Sequence, residues 1–112
     1  MKYTIKCKYD KIVHSTLKFV ENTFTTNIVK NSLDEITEEV ELIANSIINS
    51  EPYDDADIQE IIDMVADSKK RFKLEYKSNF INDTICSVYP IVHNKVSFTD
   101  TPRIFIFIEK IK

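Results

Sequence analysis

The sequence predicts an α+β fold: a mostly antiparallel sheet of about six strands with two consecutive central helices packed on one face, in the order β-β-β-α-α-β-β-β. Three observations lead there. Both ends of the chain alternate apolar and polar residues with the period of a strand. The middle repeats apolar residues with the period of a helix. The two kinds of segment occur in separate runs, which favours antiparallel pairing, since parallel strands need a long crossover between them.

Residues 2–9 place Tyr3, Ile5, Cys7 and Tyr9 on one side and Lys2, Thr4, Lys6 and Lys8 on the other. This is a half-buried strand with a lysine-lined outer face. Asp10-Lys11 reads as a turn into a second strand over 12–20, paired with the first as a hairpin. Glu21-Asn22-Thr23 reads as the next turn, and residues 24–29, aromatic and β-branched, as a third strand. Ser32-Leu33-Asp34-Glu35 is a capping box that opens a helix. Leu33, Ile36, Val40, Ile43, Ala44 and Ile47 then recur at helical spacing to about Asn49, and Pro52 breaks the run. Asp54, Asp55 or Asp57 caps a second helix, whose stripe is Ile58, Ile61, Ile62 and Val65 and whose end falls near Lys69.

Beyond the helices, Phe72, Leu74 and Tyr76 alternate with Arg71, Lys73, Glu75 and Lys77 in a strand, followed by a loop over 79–83. A strand over 84–92 carries Pro90 near its end, the mark of an edge or a bulge. A short strand over 96–98 and a final one over 103–111 complete the chain. In the last, Ile104, Ile106 and Ile108 point one way and Phe105 and Phe107 the other. A strand apolar on both faces calls for cover on both. The helices supply one cover. A curled sheet, a second copy of the chain or a partner supplies the other, which makes Phe105 and Phe107 a candidate homodimer face.

At 112 residues and 43% hydrophobic, the chain suits a single domain spanning 1–112. The first thirty residues carry no signal-peptide pattern, and the longest strongly apolar run, 104–108, is far short of a membrane span. Cys7 and Cys86 have neither metal nor redox spacing and read as buried free thiols; a disulfide requires their strands to be neighbours. A cytoplasmic location is expected. Ile, Asn and Lys, with AT-rich codons, supply 38 residues, so the source genome is expected to be AT-rich; if it is a virus or phage, the compartment is the host cytoplasm.

Glycine is absent. Without it there is no Walker A loop, no dinucleotide fingerprint and no G-x-S-x-G elbow, each of which needs positive φ or a close backbone approach. The expectation is a protein that is not an enzyme and carries no cofactor.

The charges are segregated. Residues 31–68 hold 12 acidic residues and no Lys or Arg, while the rest of the chain holds 15 basic against 6 acidic, a balance of +9. Asp34, Glu35, Asp54, Asp55 and Asp57 stand at helix starts, where carboxylates complement the dipole. Glu38, Glu39, Glu41, Glu60, Asp63 and Asp67 have no such role and are the candidate partner-binding residues. Like charges three or four residues apart repel by roughly 0.2–0.5 kcal/mol per pair. An uninterrupted acidic face points to a basic partner, such as a nuclease or another nucleic-acid-binding protein. The expected classes are a phage counter-defence inhibitor, an immunity protein or an antitoxin. The alternative is a small viral or phage structural protein that self-assembles through its sheet.

Other constellations carry less. Glu75-Tyr76-Lys77 has the E-x-K form of a metal-dependent nuclease, with Asp54 or Asp55 upstream, but an intervening helix breaks the usual layout. Asp54-Asp55-x-Asp57-x-x-Glu60 lacks the glycine and spacing of a calcium loop and reads as a capping cluster. His14 and His93 lack the nearby ligands of a zinc site, so no metal is expected. Direct nucleic-acid binding is not expected either. Tyr3, Tyr9 and Tyr76 alternate away from the lysines of their strands, and two arginines are few for a nucleic-acid reader.

Overall fold

The computed structural model of the chain describes residues 2–13, 18–20, 25, 27–72, 74–82, 85–92 and 103–111. The elements follow in the order β1 (Lys2–Val13), β2 (Lys18–Val20), β3 (Asn27–Lys30), α1 (Leu33–Asn49), α2 (Ala56–Phe72), β4 (Leu74–Asn82), β5 (Ile85–Val92) and β6 (Arg103–Ile111). The α+β class and the placing of two helices between two groups of strands are those the sequence predicts. The main sheet has five strands and not six, in the order β3-β1-β6-β5-β4, with every pairing antiparallel. The short β2 pairs only with the far end of β1, at Lys11, Ile12 and Val13. The ladder from β1 to β6 ends at Asp10 opposite Arg103, so β2 joins β1 beyond the main sheet.

Both helices start where side chains satisfy free backbone N–H groups. The Glu35 N–H donates to Ser32 Oγ at 3.2 Å, and the Glu35 carboxylate accepts from the Asn31 N–H at 3.1 Å. At α2, Asp55 Oδ1 accepts from the N–H groups of Asp57 at 2.9 Å and Ile58 at 3.2 Å. Helix α1 ends on Ser50 in the left-handed region, φ 57°, with its N–H bonded back to the Ser46 carbonyl. Glycine is the usual residue in this position, and a chain without glycine fills it with serine.

The apolar stripes of the helices pack on one sheet face. Ile36, Val40, Ile43 and Ile47 of α1 and Ile58, Ile61, Ile62 and Val65 of α2 join Ile5, Cys7, Tyr76, Val88, Ile104 and Ile106 in one cluster. Each fully buried isoleucine contributes about 1.5–3 kcal/mol over its exposed state. The core fixes the strand order: β6, last in sequence, lies between β1 and β5. Cys7 and Cys86 both stand opposite Ile106, one on each side. Two strand spacings, roughly 9.5 Å, separate them, beyond the reach of a disulfide. Both thiols are free and buried.

Several boundaries differ from the sequence expectation. The turn expected at Asp10-Lys11 is strand, because Asp10 pairs with Arg103 and Lys11 with Val20. The hairpin of β1 with β2 is present, with its connection outside the described residues. The third strand covers Asn27–Lys30, later than expected, and α2 continues to Phe72. The loop expected over 79–83 is strand as far as Asn82, since Asn79 and Phe80 pair with Ser87 and Cys86; the ladder is irregular between Phe80 and Asn82. At Pro90 the ladder with Tyr76 is regular. The expected strand over 96–98, the turn at Glu21-Asn22-Thr23, His14 and His93 lie outside the described residues.

Candidate functional site

The acidic residues form the outer side of the helical layer because the inner side is committed to the core. On α1, Ile36, Val40, Ile43 and Ile47 face the sheet, which turns Glu38 and Glu41 to solvent. On α2, Ile58, Ile61, Ile62 and Val65 do the same for Asp57, Glu60, Asp63 and Asp67. Positions 57, 60, 63 and 67 follow a helical repeat, so the four carboxylates of α2 form one stripe.

Glu39 is placed differently from the other five candidates. Its side chain is only 17% exposed, and its carboxylate lies 3.5 Å from the Lys30 ammonium of β3. It ties α1 to the sheet edge. Asp63 accepts a hydrogen bond from the Gln59 amide at 2.9 Å, which holds its carboxylate along the helix surface. Burial pushes the Tyr9 phenol above its ordinary pKa, and the Glu60 carboxylate adds to the rise.

No protein-family model, curated protein or solved structure matches this chain. No described helix is long and apolar enough to cross a membrane. Among the described residues, no three His, Cys, Asp or Glu side chains converge as a metal-ligand set. Asp55 caps the start of α2, and Glu75 lies just past its other end. A helix of 17 residues, roughly 25 Å, separates the carboxylates that the nuclease reading needed together.

The sheet face away from the helices is a second surface. Phe105 and Phe107 lie on it with ring centroids 6.2 Å apart, Phe105 being 38% exposed and Phe107 half-buried. Lys6 stands beside Phe107, and Lys8 beside Phe105. The Lys8 ammonium sits 5.5 Å from the Phe107 ring centre, and Lys6 pairs with Glu109 at 2.7 Å. Lys6, Lys8, Thr25, Ile85, Phe107 and Glu109 line a groove of about 370 Å³. Tyr89, exposed, extends the aromatic surface on β5 and pairs with the exposed Lys77 of β4.

The chain alone does not bring these side chains together. The alternation of β1 and of β6 is readable in each strand, but nothing local says that the two strands, about a hundred residues apart, are neighbours.

Proposed function

We propose that the protein is a non-enzymatic binder whose acidic helical layer docks onto a basic protein partner, of the kind that binds nucleic acid. By occupying the partner's basic groove, the layer excludes nucleic acid from it. A phage counter-defence inhibitor, an immunity protein or an antitoxin would work in this way.

One observation carries the reading. Glu38, Glu41, Glu60, Asp63 and Asp67 are exposed on a layer whose other side makes the core, so the packing of the core does not use their charge. Neighbouring carboxylates in the α2 stripe lie roughly 5–6 Å apart at Cβ. A row of anions at that pitch offers a lysine- and arginine-lined groove a substitute for a phosphate backbone. Long-range attraction of this kind speeds encounter and sets orientation.

The test is capture on the immobilised protein at low salt with elution by salt steps, run in parallel with a variant carrying Glu60→Lys, Asp63→Lys and Asp67→Lys. The expected result is a basic nucleic-acid-binding protein that elutes as salt rises and that the folded triple variant fails to hold. A partner held equally well by both proteins would sink the proposal.

A further inference from the structure

From the sheet face opposite the helices, we infer a second binding site, independent of the acidic layer, for single-stranded nucleic acid. Its parts are a column of cations beside a column of aromatic rings. Lys2, Lys6 and Lys8 project from one face of β1. Phe107 stands next to Lys6 on one side and Ile85 on the other; Phe105 stands between Lys8 and Ser87. Adjacent strands are roughly 4.8 Å apart, and successive residues on one face of a strand roughly 6.8 Å. A single strand laid along β6 puts its bases on the two phenylalanines and its phosphates over the lysines of β1, with the Lys8 ammonium exchanging its place 5.5 Å from the Phe107 ring centre for a phosphate. Stacking on aromatic rings beside a positively charged track is how proteins hold single strands without reading their sequence.

The charges favour this occupant over a second copy of the chain. Among the residues of this face whose side chains are described, Lys2, Lys6, Lys8 and Lys77 stand against Glu75 and Glu109. A two-fold interface sets the same patch against itself, and here that opposes two net positive faces. A nucleic-acid strand meets the same face with opposite charge. At physiological salt the acidic layer opposes the attraction only weakly, because a helix some 10–12 Å thick lies between its outer side and the sheet and the Debye length is about 8 Å; at low salt its repulsion reaches further and offsets part of the attraction. Glu109 tempers the site by holding Lys6.

The experiment is fluorescence anisotropy of the full chain with labelled oligo(dT) and oligo(rU) of about ten nucleotides, within the roughly 4–16 nucleotides that one single-strand-binding OB-fold covers. Binding should weaken with salt at a log–log slope of about −2, as expected for two or three phosphate contacts on a single strand. Phe107→Ala should weaken it roughly tenfold or more, and Lys8→Glu should weaken it further at low salt than at high. Glu109→Gln releases Lys6 and should tighten binding, a gain that damage to the fold does not imitate. The Glu60→Lys, Asp63→Lys, Asp67→Lys variant should bind at least as well as the natural chain, which separates this site from the helical one. Preference for one sugar over the other would identify the strand as RNA or DNA. Absence of binding at low salt, binding unchanged in both Phe107→Ala and Glu109→Gln, or a salt-resistant dimer that buries Phe105 would overturn the inference.

Discussion

Replacing Asp63 with lysine should make the protein more stable while weakening its hold on a basic partner. Asp57, Glu60, Asp63 and Asp67 are all exposed on α2 and form three like-charge neighbours in a row. Asp63 takes part in two of them. Each such pair costs roughly 0.2–0.5 kcal/mol, and an opposite pair at the same spacing contributes a similar amount. Asp63→Lys turns both repulsions into attractions, a swing of about 1–2 kcal/mol. The exposed hydrogen bond from Gln59 is lost, which brings the net gain to about 1 kcal/mol. For a chain of this size that corresponds to roughly 4 °C in Tm. Urea and thermal melts at low salt read the gain directly. The difference should shrink as salt rises, since the Debye length falls to about 3 Å near 1 M. A variant no more stable than the natural chain would mean that the stripe is already neutralised within the protein. The case that these carboxylates are kept for a partner, at a cost to the fold, would then fail.

Two further predictions concern the fold. Ser50→Gly should stabilise by roughly 0.5–1 kcal/mol, because Ser50 sits at φ 57° and glycine removes the Cβ clash, offset in part by its greater freedom in the unfolded chain; a urea midpoint that does not rise would refute it. Alkaline pH should destabilise the protein through its buried acids. Burial pushes the Cys7 thiol from 9.0 up to about 12, and the Tyr76 phenol from 10.0 up to about 12. The folded state keeps these protons after the unfolded chain has released them, so the stability they contribute is full below pH 9 and is lost as pH rises from 9 to about 12. Urea melts across that window should show the decline, and Cys7→Ala should flatten it; an unchanged slope in the variant would assign the effect elsewhere.

Much of the fold was readable because its determinants are local. The Ser32 cap and the spacing of Ile36, Val40, Ile43 and Ile47 place α1 within a residue of its observed limits. The alternation around Ile104, Ile106 and Ile108 delimits β6 at Arg103 and Ile111. Errors fell where pairing outweighed local preference. Asp10-Lys11 has turn residues yet lies in β1, and the polar segment at Asn79 lies in β4, because each has a partner strand to satisfy its backbone.

The sequence by itself determined the helical layer and its charge, since helical periodicity dictates which side faces the core and the twelve acids of residues 31–68 have no cation interleaved. Tertiary structure alone decided four things. It placed β6 in the centre of the sheet, it separated Cys7 from Cys86 by the width of that strand, and it turned Glu39 toward Lys30. It also set Phe105 and Phe107 beside Lys8 and Lys6. The physical reason is the same in each case. A strand's own period determines which side chains share a face, but its neighbours are chosen by how isoleucines far apart in the chain pack together under the helices.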